Sequence, residues 1–310
     1  MRVLITGGAG FIGSHITDLL IEKGYETYVI DNLSTGKREN INNKTHFYEM
    51  DIRDEQKMSS FFEEHSIDIV IHHAAQVSVQ QSLKNPLEDL SINVQGTLNV
   101  LSNAVKYNVK KIIYASSAAV YGFPQYLSID EEHPINPISF YGISKLTPEQ
   151  YIKVYASMHN IKYTILRYAN VYGMRQDPRG EGGVVSIFLD KFLSGNTPTI
   201  YGDGEQTRDF IYVKDIAQAN LLSLTSADNM VLNVGTNKEV SVNELCNEIQ
   251  QLIKSDQNSV HAQQRSGDID KSVLSNELMK SIFNWQPEFN LKEGLKQTIA
   301  FYKKELSNGN

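Results

Sequence analysis

The sequence has a single cysteine, Cys246, among 310 residues, so an intramolecular disulfide framework is excluded. A lone cysteine fits a reducing compartment, and we expect Cys246 to be a buried space-filling residue. No segment approaches the roughly 20 apolar residues that a membrane-spanning helix needs. The apolar run at the amino terminus stops at Thr6, where glycines follow, so we expect no signal peptide. These absences predict a cytoplasmic protein with no membrane partner.

Positive charge is also scarce, because 29 lysines and arginines face 36 acidic residues and give a formal net charge of -7. This charge repels phosphate backbones, and no basic patch offsets it, so we expect no nucleic-acid partner. The adjacent pair His72 and His73 has no third ligand at useful spacing, so we predict no metal site. An anionic substrate must therefore be held by a few local groups.

Short β-branched runs alternate with longer helical patterns along the first half of the chain. This alternation predicts an α/β fold with a doubly wound parallel Rossmann sheet and helices on both faces. Parallel strands bind ligands at their carboxyl ends, so the residues that follow each run are candidate site residues. The predicted elements are Val3–Thr6, Ile12–Lys23, Thr27–Asp31, His46–Met50, Glu55–His65, Ile67–His72, Thr97–Tyr107, Lys111–Ala115, Tyr141–Met158 and Tyr163–Tyr168.

A glycine motif, TGGAGFIG at positions 6–13, follows the first predicted strand and opens the first predicted helix. Gly7 and Gly10 allow a tight turn close to a pyrophosphate, Gly13 allows close packing, and the helix amino terminus attracts phosphates. Asp31 ends the second strand, where a carboxylate accepts hydrogen bonds from ribose hydroxyls and repels a 2′-phosphate. The pattern predicts NAD as the cofactor. Residues after the third and fourth strands should also contact it, namely Asp51, Ile52, Ala74, Ala75 and Gln76.

Clusters of Gly, Pro and Asp loosen the pattern after Asn170. We expect residues 1–172 to form an NAD-binding Rossmann domain and residues 173–310 to form a smaller, interleaved substrate lobe. The boundary is soft, because the predicted helix Lys214–Ser223 and the predicted strand Met230–Val234 can return to the sheet.

Tyr141 and Lys145 stand four residues apart, so a phenol and an ammonium share one face of a predicted helix. A free phenol has a pKa near ~10, and a neighbouring positive charge favours the phenolate that a proton acceptor needs. Ser117 lies upstream in SSAAVYG, at the end of the fifth strand, where it can orient a reacting hydroxyl. Together these residues predict hydride chemistry on a hydroxyl-bearing substrate.

The chain resembles the nucleotide-sugar enzymes of the extended short-chain dehydrogenase/reductase family, through the segments TGGAGFIG, SSAAVYG, YGISK, RYANVYG, DGEQTRDFIYVKDIA and RSGD. The resemblance implies that Ser117, Tyr141 and Lys145 form a catalytic triad, and that Ser117 and Tyr141 also contact the substrate. It implies cofactor contacts from Phe11, Ile12, Asp31, Asn32, Gly36, Asn93, Tyr141, Lys145, Tyr168 and Ala169, with Asn93 also supporting the triad. It implies substrate contacts from Asn170, Val185, Arg208, Arg265 and Asp268, where the arginines would grip a nucleotide diphosphate.

Two alanines, Ala118 and Ala119, follow Ser117. In the 4,6-dehydratases of this family an Asp-Glu pair stands there and eliminates water, and the UDP-glucuronate decarboxylases usually keep an acidic residue at the second position. Because both proton shuttles are missing, the chain resembles the UDP-hexose 4-epimerases, which oxidise C4 reversibly through a 4-keto sugar and regenerate NAD. Two alternatives stay open: a nucleotide-sugar reductase or dehydrogenase, and a non-catalytic regulator that binds NAD or a sugar nucleotide.

Ser272 lies four residues after Asp268, at a position that resembles the family's size gate for the C2 substituent of the sugar. A small residue there implies that UDP-GlcNAc and UDP-GalNAc are accepted beside UDP-glucose and UDP-galactose. By the same analogy, helices within 85–107 and 141–158 are expected to pair across the axis of a homodimer.

Overall fold

The computed structural model describes residues 1–178, 183–264 and 267–308. Its strands are β1 (Arg2–Thr6), β2 (Glu26–Asp31), β3 (His46–Glu49), β4 (Ile69–His72), β5 (Lys111–Ser117), β6 (Lys162–Tyr168), β7 (Asn170–Tyr172), β8 (Thr199–Tyr201), β9 (Thr207–Arg208), β10 (Phe210–Tyr212), β11 (Met230–Val234), β12 (Val240–Ser241), β13 (Val260–Ala262) and β14 (Lys271–Ser272). Its α-helices are α1 (Phe11–Glu22), α2 (Glu55–Glu64), α3 (Val79–Lys84), α4 (Pro86–Leu90), α5 (Gly96–Lys106), α6 (Phe140–Met158), α7 (Val184–Leu193), α8 (Val213–Ser223), α9 (Val242–Ile253), α10 (Glu277–Phe283) and α11 (Leu291–Asn308). Short 3₁₀ helices cover Arg38–Asn40 and Ala118–Val120.

Seven parallel strands form the central sheet in the order β11-β6-β5-β4-β1-β2-β3. The predicted doubly wound parallel sheet is therefore confirmed. The strand order reverses between β1 and β4, and such a reversal opens a crevice at the carboxyl ends of the strands. The glycine motif after β1 and the residues after β4 meet in this crevice.

The two faces of the sheet bury two separate apolar clusters, because successive strand residues point to opposite sides. Val3 and Ile5 of β1 belong to a cluster with residues of α1 and α8. Leu4, between them, belongs to a second cluster with residues of α2 and α5. This alternation fixes the register of β1, and with it the position at which the glycine motif begins.

The carboxyl-terminal part of the chain builds a third apolar cluster, which includes Phe188, Leu245 and Leu295 and also Cys246, buried as expected. Its strands form small sheets in the orders β12-β9-β14, β13-β8 and β10-β7. β11 pairs with β6 of the central sheet, so this predicted strand does return to the core. The division of the chain into domains at residue 172 stays a prediction.

The connection between β4 and β5 is more complex than the sequence indicated. The chain forms the additional helix α3, and α4 continues into α5 through a π-helical stretch at Ser91–Gln95. Such stretches are frequent at functional sites, and this one contains Asn93. Across the described ranges, no helix combines the length and the apolar character that crossing a bilayer requires.

Candidate active site

A cavity of about 650 Å³ lies at the carboxyl edge of the central sheet. Its wall collects residues from the glycine motif and from the segments that end β4, β5, β6 and β7. Of the predicted site residues, the wall contains Gly7, Gly10, Phe11, Ile12, Gly13, Ala75, Ser117, Tyr141, Lys145, Tyr168, Ala169, Asn170 and Val185. The three predicted catalytic side chains and the predicted cofactor motif thus share one cavity.

Lys145 is a buried cation in the wall of this cavity. Burial lowers the pKa of its ammonium to about 8, while the negative charges of Glu149 and Asp89 act in the opposite direction. Its Nζ also lies 4.8 Å from the centre of the Tyr114 ring, a favourable position for a cation. The lysine is therefore mostly protonated at neutral pH, and its charge is available to a neighbouring phenol.

Ser117 and Tyr141 are positioned by local backbone contacts. The Ser117 Oγ accepts a hydrogen bond from the Ala119 amide (3.2 Å), which caps the short helix that follows β5. The Tyr141 amide donates to the Ser82 Oγ of α3 (3.1 Å), and this contact fixes the start of α6. In the parallel register of β5 and β6, Ser117 lies opposite Tyr168, so both reach the cavity at the same level.

Asn93 supports the site from behind the cavity wall. Its Nδ2 donates to the Oγ of Ser144 (2.9 Å), which lies between Tyr141 and Lys145 on α6. Its amide group also exchanges two hydrogen bonds with the backbone of Gln76, at 2.8 and 2.9 Å. Asn93 therefore joins the segment after β4 to the catalytic helix.

The glycine motif has the shape that a dinucleotide requires. A β-carbon at Gly7 would lie 2.7 Å from the Ala74 amide nitrogen, and one at Gly13 would lie 2.3 Å from the Gly7 carbonyl oxygen. Only glycine fits at these two positions, and Gly7 also has a left-handed φ of 70°. The first turn of α1 has neither a side-chain cap nor an acidic residue, so its amide groups are available to an anion.

Asp31 is held at the end of β2 by the amides of Ala9 (3.0 Å) and Leu33 (2.8 Å). Burial raises the pKa of its carboxyl group, and these amide hydrogen bonds oppose that rise. A β-carbon at Gly36 would lie 2.7 Å from the Asp31 carboxylate, so the loop after β2 can close over Asp31 only with glycine there. The glycine turn, the open helix terminus and this carboxylate together fit NAD.

Some predicted cofactor residues lie outside the cavity wall, so their contact with a cofactor stays a prediction: Asp31, Asn32, Gly36, Asp51, Ile52, Ala74, Gln76 and Asn93. Asn32 donates to the Asp51 carboxylate (3.0 Å), which also binds Arg53 and has its pKa lowered to about 2 by that contact. Ile52 is buried against Gly96.

His72, the last residue of β4, and His73, which follows it, contact hydroxyl groups of neighbouring side chains. His72 contacts the hydroxyls of Thr6 (2.7 Å) and Thr97 (2.9 Å), and His73 contacts the Tyr168 hydroxyl (3.0 Å). Burial lowers the pKa of both imidazoles to about 3, so both are neutral. Within the described part of the chain, no group of three histidine, cysteine or acidic side chains is placed to hold a metal ion.

Three further predicted substrate residues, Arg208, Asp268 and Ser272, lie on or next to the small sheet formed by β12, β9 and β14, outside the described cavity wall. Arg208 forms a hydrogen bond and ion pair with the Asp268 carboxylate. Ser272 of β14 lies opposite Arg208 in parallel register and is half-buried. These three residues are thus brought together, while Arg265 falls outside the described residues.

Several charged residues near the cavity were not predicted. Glu149 of α6 and Arg167 of β6 form a buried ion pair, with two contacts of 3.0 and 2.7 Å. Lys37 and Arg175 line the cavity wall. Glu149 follows Lys145 by one helical turn, and this spacing is the signal from which its proximity could have been predicted.

The chain is similar to known proteins along nearly its whole length. Residues 3–235 match the model of the NAD dependent epimerase/dehydratase family. A protein of Methanocaldococcus jannaschii, provisionally named a UDP-glucose 4-epimerase, is 49% identical over 97% of this chain and 98% of its own length. A crystal structure of a Thermotoga maritima UDP-glucose 4-epimerase with UDP-glucose has a TM-score of 0.97 and 44% identity, covering 99% of this chain and 100% of that one. A Methanobrevibacter ruminantium UDP-N-acetylglucosamine 4-epimerase in complex with UDP-N-acetylmuramic acid has a TM-score of 0.93 and 36% identity, covering 98% of both chains.

Proposed function

The chain belongs to the NAD dependent epimerase/dehydratase family, with NAD as its cofactor, and from this premise we propose that it is a UDP-hexose 4-epimerase. Within such a family, the groups beside the catalytic serine decide between epimerisation and elimination. The observation that carries the proposal is the alanine pair Ala118 and Ala119, whose methyl groups cannot transfer protons. In the described wall of the cavity, the one carboxylate is Asp177, which faces Lys37 at 3.7 Å.

The residues around the cavity suit reversible oxidation at C4. When bound, NAD supplies a reversible acceptor for hydride. The Tyr141 phenolate accepts the proton of the C4 hydroxyl, and Lys145 stabilises the phenolate by its charge. Ser117 orients the hydroxyl by hydrogen bonding, and the hydride that leaves C4 would be returned to the opposite face of the 4-keto sugar. Because both the hydride and the proton taken from C4 and its hydroxyl are returned in the same cycle, the reaction needs no external reductant.

The proposal is tested by incubating the purified protein with UDP-glucose, without added reductant, and by resolving the C4 epimers chromatographically. We expect conversion to a mixture of UDP-glucose and UDP-galactose. Conversion that begins only when NADH and a keto-sugar are supplied would replace the proposal with a reductase. A dehydrated product would show that Ala118 and Ala119 do not exclude elimination.

We further propose that the enzyme accepts the N-acetylated pair UDP-GlcNAc and UDP-GalNAc. The support is the small side chain of Ser272, which lies beside the proposed diphosphate ligand Arg208 on the paired strands β14 and β9. An added C2 substituent needs volume, and a large side chain at this position would remove it.

Ser272→Tyr is expected to reduce kcat/KM for UDP-GlcNAc by about 10- to 100-fold, because the ring competes for space with the acetamido group. The value for UDP-glucose should change only a few-fold. The matched control is Ser272→Ala, which keeps the residue small and should leave both sugars unaffected. Equal losses for both sugars in Ser272→Tyr would contradict the size-gate assignment.

We also propose that the enzyme is a homodimer through α4 and α6. An apolar stripe on these helices is exposed in the single chain, with Leu87 at 77% and Met158 at 71% exposure. Ile143, Val154 and Met158 recur at helical spacing along one face of α6. Several exposed apolar residues on neighbouring helices are typical of an association surface.

Sedimentation velocity is expected to give twice the mass of one chain, and Met158→Glu should shift the protein toward monomer because it places a charge in the apolar contact. The control is Leu306→Glu, which adds the same charge at an exposed leucine on α11. A monomeric wild type, or an equal effect of both substitutions, would rule out this interface.

A further inference from the structure

The segment that follows β7, residues 174–178, contacts α1 and α11 and is fixed at two backbone positions. His15 of α1 donates from Nε2 to the Met174 carbonyl (3.0 Å). The Tyr302 hydroxyl of α11 donates to the Gln176 carbonyl. Between these two anchors Arg175 has a left-handed φ of 69°, a conformation that is unfavourable for a residue with a β-carbon. Both neighbours therefore hold Arg175 in a backbone geometry that it does not prefer.

Among the described residues, the guanidinium group of Arg175 is anchored at one end only. Its Nη2 contacts the Asp18 carboxylate of α1 at 2.8 Å. Its Nη1 is buried and has no hydrogen-bond partner among the described residues. A buried donor without a partner is costly, so a site that retains one is expected to bind an acceptor supplied from outside the chain. Arg175 lies in the wall of the cavity, where such an acceptor can enter.

The positive charges of the cavity wall indicate that this acceptor is an anion. The cations in its described part are Lys37, Lys145 and Arg175. Lys37 already faces Asp177, and Lys145 lies beside Tyr141 on the catalytic helix. Arg175 is held against α1, whose uncapped amino-terminal turn lines the same cavity. A dinucleotide brings two negative phosphate charges to this region, and the partial charge of a helix terminus alone neutralises only part of them.

We propose that Arg175 binds the diphosphate of the NAD cofactor, with Asp18 as the residue that positions its guanidinium. The planar guanidinium can bind Asp18 through Nη2 while it donates from Nη1 to a phosphate oxygen. The left-handed backbone at Arg175 places the group there, and a strained residue of this kind is typical of ligand-binding sites. The proposal adds a cofactor ligand from the segment after β7, well beyond the glycine motif in sequence.

The experiment measures binding to the full-length protein stripped of nucleotide, by isothermal titration calorimetry with NAD and with adenosine. Adenosine shares the base and ribose of NAD but has no phosphate. Arg175→Gln is expected to raise the Kd for NAD by about 10- to 100-fold, the range for a lost charge-assisted hydrogen bond, and to leave the Kd for adenosine within about twofold. Retained adenosine binding also shows that the variant is folded.

The matched control is Arg38→Gln, which removes the same charge from an exposed arginine that pairs with Glu49 outside the cavity wall. It should leave NAD binding within about twofold. Asp18→Asn frees the guanidinium but keeps its charge, so it should weaken NAD binding less than Arg175→Gln does.

Should Arg175→Gln fail to fold, Arg175→Lys keeps the positive charge but lacks the planar guanidinium. It should weaken NAD binding by an intermediate factor and leave adenosine binding unchanged. Equal weakening of NAD and adenosine, or a loss no larger than in Arg38→Gln, would overturn the proposal. Because no turnover is measured, this outcome is independent of the epimerase assignment.

Discussion

Replacing Tyr141 with phenylalanine is expected to lower kcat for C4 epimerisation by about 10²- to 10⁴-fold, the usual contribution of a positioned acid or base. The substitution removes one hydroxyl from the cavity wall and leaves the ring that lines it. Substrate and NAD binding should therefore change little, and the loss should appear in kcat rather than in KM. The measurement is steady-state conversion of UDP-glucose, together with NAD binding by calorimetry.

The control for this substitution lies on the same helix. Tyr151→Phe makes the same chemical change on α6 at an exposed residue, and it should leave kcat unchanged. If Tyr141→Phe retained more than about a tenth of the wild-type rate, another group would have to transfer the proton, since acid–base catalysis contributes at least about 10²-fold.

Removing the charge of Glu149 is expected to cause a large loss of stability. Glu149 and Arg167 are both buried, at 0% and 2% exposure, and their contacts are bidentate. The carboxylate also accepts a hydrogen bond from the Ser116 Oγ (2.5 Å). Glu149→Gln leaves a buried arginine without a counter-charge, which costs about 3–5 kcal/mol of unfolding free energy. Denaturant unfolding monitored by circular dichroism measures this loss.

Two further variants separate charge from packing in this experiment. Glu277→Gln breaks the surface pair with Lys280, where both side chains are well exposed, and should cost less than about 1 kcal/mol. Glu149→Gln combined with Arg167→Met removes both buried charges and should recover part of the stability lost in the single variant. A loss in the single variant no larger than that in Glu277→Gln would show that Arg167 finds another partner.

The Glu149 substitution should also affect catalysis through Lys145. The Glu149 charge raises the pKa of the Lys145 ammonium against the effect of burial, so its removal lowers that pKa further below about 8. Less Lys145 is then protonated near neutral pH, and the Tyr141 phenolate loses part of its stabilisation.

Local pattern was enough to predict most of the central sheet. The β-branched runs before the glycine motif and before Asp31 became β1 and β2, because each strand buries both faces and needs an apolar residue at nearly every position. The glycine motif could also be predicted from the sequence. Gly13 approaches Gly7, which is nearby in sequence, and Gly7 approaches Ala74, which follows the end of the neighbouring strand β4. The sequence left α3 unpredicted, because a six-residue helix shows too little periodicity.

The sequence by itself thus determined the fold class, the NAD motif and the Ser117, Tyr141 and Lys145 set, because these depend on short-range spacing and on strand order. The tertiary structure decided which distant charges meet: Asp18 with Arg175, Glu149 with Arg167, and Arg208 with Asp268. A charged residue in a sequence carries no local mark of its partner, since ion pairing depends on which surfaces the packed helices and loops bring within about 4 Å. The buried charges around Lys145 and the anchored guanidinium of Arg175 could therefore be identified only once the chain had folded around the cavity.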